Sequence, residues 1–128
     1  MTAGSTMYER VGGEAFFEDL TVRFYSAVKD DAVLRRVYPK DDESFEQARR
    51  HLRDFLVQYW GGPDTYNQTR GAPRLRQRHF PFAIGPAERD AWLAHMTEAV
   101  RASNLRPLDE AQMIGYFNSA AAALTNQP

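Results

Sequence analysis

Apolar residues recur along most of the chain at helical rather than strand spacing, and they mark four long amphipathic segments. In the first, Phe17, Leu20, Phe24 and Val28 form a stripe flanked by Phe16 and Tyr25, which predicts a helix over Glu14–Lys29. The second carries Phe45, Ala48, Leu52, Phe55, Leu56 and Tyr59 on one face. Ser44 and Gln47 have capping-box spacing at its start, Asp41, Asp42 and Glu43 suit the positive end of its dipole, and Gly61-Gly62-Pro63 ends it. The third opens at Gly85-Pro86, with proline pre-set for a first helical turn, and turns Trp92, Met96, Ala99 and Val100 inward. The fourth covers Pro107–Leu124, with Met113, Tyr116, Phe117, Ala120 and Leu124 on its inner side.

Shorter elements fill the intervals. A helix over Met7–Val11 is ended by Gly12-Gly13. Another over 32–37 stops before Tyr38-Pro39, because a residue preceding proline avoids the helical region. Residues 64–72, rich in Asn, Gln, Thr and Gly, read as a loop. Pro73 opens a short helix that Pro81 closes near Phe80. Residues 1–6 are small and polar and read as a flexible tail, which leaves one domain over about 7–126. With no convincing strand alternation and no repeat, the expected class is all-α.

A chain of 128 residues can bury one real core. Eight Phe, six Tyr and two Trp supply flat walls, which suit either an ordinary aromatic core or one wrapped around a flat ligand. The net charge of −1 gives no reason to expect nucleic acid or an anionic membrane. The absence of cysteine excludes disulfides, thiolate-held iron–sulfur clusters and cysteine-ligated haem, and it fits a reducing cytoplasm. No run approaches the roughly 18 apolar residues of a membrane span, and the first residues lack the basic and apolar regions of a signal peptide. The expected location is therefore cytoplasmic. Asp41-Asp42-Glu43 reads as a solvated helix start rather than an acid–base pair.

Three histidines carry the candidate chemistry, and their separations of 28 and 16 residues do not form a metal cluster. His51 and His95 lie beside apolar stripes and read first as satisfied, partly buried polar groups. His79 differs, because it sits in Pro73-Arg74-Leu75-Arg76-Gln77-Arg78-His79-Phe80-Pro81-Phe82, a short element pinned between prolines. Leu75 lies one turn before it on the same face. The segment thus offers a neutral imidazole for haem iron, an apolar partner for the porphyrin and arginines for the propionates. Two other readings stay open at this point. One is a basic surface loop with an incidental histidine. The other is a phosphate or RNA site with Phe80 and Phe82 as stacking platforms.

Six ordered strings narrow the choice: Val11-Gly12-Gly13, Arg23-Phe24-Tyr25, Val33-Leu34-Arg35-Arg36-Val37-Tyr38-Pro39, Phe55-Leu56-Val57-Gln58-Tyr59-Trp60-Gly61-Gly62-Pro63, Arg74-Leu75-Arg76-Gln77-Arg78-His79 and Glu88-Arg89-Asp90-Ala91-Trp92-Leu93. In this order they resemble the truncated haemoglobins of group II, the O-type of actinobacteria, over about residues 7–126. The resemblance implies a two-over-two helical sandwich around haem b, with His79 as the proximal iron ligand. It puts Tyr25, Tyr38 and Trp92 on the distal side, makes residues 44–59 the distal helix, sets Ala48 at the gate position and lays Leu52 over the haem. Phe55, Leu75, Phe82, Ile84, Met96 and Phe117 become pocket walls, and Arg78, Tyr66 and His51 candidates for the propionates. The connection from Tyr38 to Ala48 is about two residues longer than the family pattern, near residues 43–45, which leaves the start of the distal helix and access past Ala48 open.

Dioxygen on haem iron draws negative charge onto its oxygens, and phenol and indole protons aimed there stabilise it. At about 0.5–1.5 kcal/mol per neutral hydrogen bond, three donors supply roughly 2–4 kcal/mol. A carrier must release its load, so this favours redox chemistry on nitric oxide or peroxide over transport, with Tyr25 as the principal donor. The expected partners are dioxygen, nitric oxide, carbon monoxide, peroxide and cyanide-like ligands together with an unidentified reductant, and a homo-oligomer is left open. The competing functions are a dioxygen store or gas sensor without turnover, and a haem-free helical module using the basic segment around His79.

Overall fold

In the computed structural model, which describes residues 5–128, those residues form eight helices and no strand. They are α1 (Met7–Val11), α2 (Glu14–Lys29), α3 (Ala32–Arg35), α4 (Asp42–Tyr59), α5 (Thr65–Arg70), α6 (Leu75–His79), α7 (Pro86–Arg101) and α8 (Pro107–Leu124). The four long apolar stripes become α2, α4, α7 and α8. α2 lies against α4 and α7 against α8, and α2 and α7 join the pairs into a two-over-two sandwich. Phe17, Leu20, Phe24 and Val28 of α2, Met96 and Val100 of α7, and Met113 and Phe117 of α8 are buried in its core. Of the expected 1–6 tail, residues 1–4 lie outside the described residues. Thr6 caps α1: its hydroxyl accepts from the Glu9 amide, and the Glu9 carboxylate accepts from the Thr6 amide.

Several local expectations are revised. Asp41 rather than Ser44 caps α4, its carboxylate accepting from the Ser44 amide, so the helix starts at Asp42. Residues 42–47 form the first turns of α4, which sets Phe45 at centroid distances of 5.1 Å from Tyr25 and 6.0 Å from Tyr38. The helix expected over 32–37 ends at Arg35. The expected loop 64–72 contains α5, whose Asn and Thr residues are weak helix formers. Burial of Tyr66 and a double hydrogen bond between the side chain of Gln58 and Asn67 stabilise it instead. The short basic helix begins at Leu75 rather than Pro73, after Arg74 takes a left-handed backbone conformation (φ 43°).

Two features fasten α4. Arg49 is 6% exposed, and its guanidinium donates to Glu18 on α2 (3.0 Å), Thr21 on α2 (3.2 Å) and Glu46 (2.6 Å), while Arg53 reaches the same Glu18 oxygen at 2.9 Å. A desolvated guanidinium is tolerated here because carboxylates and a hydroxyl surround it. At the other end, α4 stops against α1, where the Tyr8 amide donates to the Trp60 carbonyl at 2.9 Å. A Cβ at Gly62 would sit 2.6 Å from Val57 Cγ1 and 2.7 Å from Tyr8 Cδ1, so only glycine fits the close approach.

Candidate functional site

The helices enclose a cavity of about 460 Å³, within the range of cofactor sites. Tyr25, Tyr38, Ala48, His51, Leu52, Phe55, Tyr66, Leu75, Arg78, His79, Phe82, Ile84, Trp92 and Phe117 all border it. Met96, expected as a wall, does not. The cavity reaches only the first two turns of α7, at Glu88, Arg89 and Trp92, and Met96 one turn further on is fully buried in the helical core.

His79 is the last residue of α6, and its ring orientation is set by the helix itself. Its Nδ1–H donates to the Leu75 carbonyl one turn back at 2.7 Å. A carbonyl only accepts, so Nδ1 carries the proton and Nε2 of the neutral ring keeps its lone pair, with no partner among the described residues. That is the tautomer a metal-binding imidazole requires. The helix is held from both ends. Arg78 donates from Nε to the Pro73 carbonyl and from Nη2 to the Arg70 carbonyl, both at 2.7 Å. Asn126, beyond α8, donates from its amide to the Phe82 carbonyl at 2.8 Å and accepts from the Ile84 amide at 2.9 Å, which pins the turn after His79.

Across the cavity, hydroxyl and indole groups converge. Trp92 Nε1 donates to the Tyr38 oxygen at 3.1 Å. The rings of Tyr25 and Tyr38 meet edge to face at 5.5 Å, and those of Trp92 and Phe24 at 5.2 Å. Burial pushes the Tyr25 phenol well above its ordinary value, and the neighbouring Tyr38 oxygen adds to the rise. Burial also raises Tyr38, against opposing contributions from Trp92 and Tyr25. Both phenols therefore remain protonated and able to donate throughout the neutral range.

The polar edge of the cavity is richer than the sequence suggested. Arg70, the last residue of α5, borders it beside His51, Tyr66 and Arg78. Its Nη1 donates to His51 Nε2 at 3.2 Å, so the His51 ring is neutral there, and burial together with the Arg70 charge lowers its pKa. Arg70 and Arg78 each place their guanidinium carbon 5.7 Å from the centre of the Tyr66 ring. Arg70 Nε is buried with no hydrogen-bond partner. A buried, unpaired guanidinium N–H beside an apolar cavity calls for a carboxylate, and haem carries two. The orphaned Nε, the lone pair of His79 and the apolar walls together fit haem. Sequence reasoning missed Arg70 because it lay in a presumed loop. It missed Asn126 because no local pattern marks a tether of that kind.

Fold and site together define a haem-pocket globin, and the chain belongs to the bacterial-like globin family, whose model matches residues 6–126. It is similar to the group 2 truncated haemoglobin YjbI of Bacillus subtilis, with 33% identity over 94% of this chain and 88% of that protein. A thermostable haemoglobin from the actinobacterium Thermobifida fusca superposes with a TM-score of 0.92 at 51% identity, covering 96% of this chain and 98% of that one. The haemoglobin of the thermophilic phototroph Chloroflexus aurantiacus does so with 0.90 at 47%, covering 95% and 98%. Membership of the globin family carries with it the binding of haem and of a small gas ligand. No helix among the described residues is long and apolar enough to cross a membrane.

Proposed function

We propose that residues 7–126 act as one globin domain that holds haem b through His79 Nε2, steadies its propionates with Arg70, Arg78, His51 and Tyr66, and retains a polar diatomic or peroxide ligand for redox turnover rather than transport. When bound, the haem supplies an iron centre that takes up dioxygen, nitric oxide, carbon monoxide, cyanide or peroxide. The protein's own residues do the rest. The observation carrying this reading is the donor cluster opposite His79. Tyr38 Oη accepts the Trp92 indole proton, which leaves its own proton free for a ligand in the cavity, and Tyr25 borders the same cavity with its ring edge to face against Tyr38. Tyr25 is the principal donor in this reading, with Tyr38, held by Trp92, as the second. Leu52, Phe55 and Phe117 exclude water, so each donated proton acts in a low dielectric.

Retention of this strength suits nitric oxide oxidation or peroxide reduction, with electrons from an external reductant. The test is to mix the dioxygen-loaded protein with nitric oxide, and the ferric protein with peroxide. Stoichiometric nitrate, or peroxide consumption that continues while reductant lasts, supports turnover. Simple ligand exchange in both mixtures would leave a store or sensor. His79→Gly should lose the Soret band at micromolar haem and regain it with added imidazole.

A further inference from the structure

Haem would occupy Arg70 and Arg78, which leaves a basic, aromatic surface beside them without a partner. Between Asp64 and Glu88 the chain holds four arginines and no acid, although its net charge is −1. Arg78 donates to the Pro73 and Arg70 carbonyls. Arg74 and Arg76 are exposed, and neither takes part in an ion pair among the described residues. Phe80 lies one turn after Arg76 at the end of α6 and is 80% exposed, and Phe82 is 44% exposed. Single exposed apolar side chains are ordinary, but two phenylalanines around one proline, next to unpaired cations, form a patch. The patch is rigid, because the Phe82 amide donates to the His79 carbonyl at 3.0 Å and the Phe82 carbonyl accepts from Asn126 at 2.8 Å. Phe82 also borders the cavity, so one side chain faces both cavity and solvent.

We propose that Arg74, Arg76, Phe80 and Phe82 form the docking surface for a small electron-transfer protein whose own cofactor lies under an acidic face, the reductant that turnover in the cavity requires. The surface rests on the redox reading of the cavity. Charge sets the class of partner, since two unpaired guanidinium groups attract carboxylates and repel a basic donor. Size sets the kind of complex. Two arginines and two phenyl rings make a small contact, which suits a transient encounter steered by charge rather than a stable assembly. The rings exclude water where donor and cavity come nearest, and their fixed backbone costs little to order on binding. One electron passes in each encounter from the reduced donor to ferric iron, Fe³⁺ + e⁻ → Fe²⁺. The donor is oxidised by that one electron, and no bond forms or breaks. Nucleic acid fits this surface less well, because tracking a phosphate backbone needs a longer row of cations than the two that are free.

The experiment follows reduction of the ferric, haem-loaded chain under carbon monoxide, with the ferrous product read as a shifted Soret band. The probe donor is a plant-type [2Fe–2S] ferredoxin, an acidic protein, kept reduced by its own NADPH-dependent reductase. Photoreduced deazariboflavin, small and uncharged, is the control. In the parent, the ferredoxin rate should fall steeply as salt rises. Arg74→Glu combined with Arg76→Glu should slow it at least about tenfold at low salt. Arg76→Lys should keep most of the parent rate, and Phe80→Ser should slow it about fivefold at every salt concentration. Deazariboflavin should reduce all of them alike, because Arg74, Arg76 and Phe80 do not border the cavity. Ferredoxin that reduces parent and variants equally, or fails on a parent that deazariboflavin reduces, overturns the docking surface and leaves the cavity reading intact. Parent dimers that the variants dissolve in sedimentation, or a labelled single-stranded RNA that binds the parent but not the variants, would assign the patch to a second copy or to nucleic acid and overturn it too. A ferrous protein that turns over neither nitric oxide nor peroxide refutes the redox reading, and the role of the surface with it.

Discussion

Replacing Trp92 by Phe tests the donor cluster most directly. The change removes one N–H, the indole proton that reaches Tyr38 Oη at 3.1 Å. It leaves a ring able to meet Phe24 and Phe117, whose centroids lie 5.2 Å and 5.6 Å from that of Trp92. The fold should therefore survive with a modest loss of packing. Two contributions to ligand retention disappear: any proton the indole offers the ligand, and the orientation it imposes on Tyr38. At about 0.5–1.5 kcal/mol for each neutral hydrogen bond, the combined loss is about 1–3 kcal/mol. At about 1.4 kcal/mol per decade, dioxygen dissociation should accelerate about 5- to 140-fold. Stopped-flow displacement of dioxygen by excess carbon monoxide reads that rate. A double-mutant cycle with Tyr38→Phe separates the two contributions: if the indole works through Tyr38, the double variant dissociates no faster than Tyr38→Phe alone. An off-rate unchanged in Trp92→Phe would remove the indole from the mechanism, and full additivity would remove its coupling to Tyr38.

Other parts of the structure give further tests. Arg70→Met removes the guanidinium with its unpaired Nε; haem transfer to excess apomyoglobin should quicken about 10- to 100-fold, as for one charge-assisted hydrogen bond, while the apoprotein melts no lower than the parent. Arg49→Met should alter the acid limb of stability. Hydrogen bonding from Arg49 holds the Glu18 and Glu46 carboxyls below their ordinary 4.5. That stabilisation is complete above the unfolded value and is lost as pH falls through the folded ones, so the parent should lose stability below about pH 4.5 more steeply than the variant, as urea unfolding at a series of pH values would show. Gly62→Ala should cost about 1–3 kcal/mol in the same assay, because its Cβ meets Val57 and Tyr8. Asn126→Ala should leave helix content intact but broaden the haem spectrum, since the turn after His79 loses its tether.

Much of this molecule is legible in one dimension. Apolar spacing sets α2, α4, α7 and α8, because a helix repeats its face within a few residues and needs no distant partner to reveal it. His79 with Leu75 one turn earlier is likewise a local fact, and so is the stop at Gly61-Gly62-Pro63. Other features depend on groups far apart in sequence. α5 is helical against its own propensities because Tyr66 is buried and Gln58 bonds Asn67. Met96 lies on the same predicted face as Trp92 yet misses the cavity, whose depth is set by how α7 and α8 cross. Arg70 becomes part of the site only when α5 folds against His51, and Asn126 reaches back 42 residues to Ile84. Periodicity records which face of a helix is apolar, whereas cavity depth, hydrogen-bond sense and the pairing of buried charges arise only when faces meet.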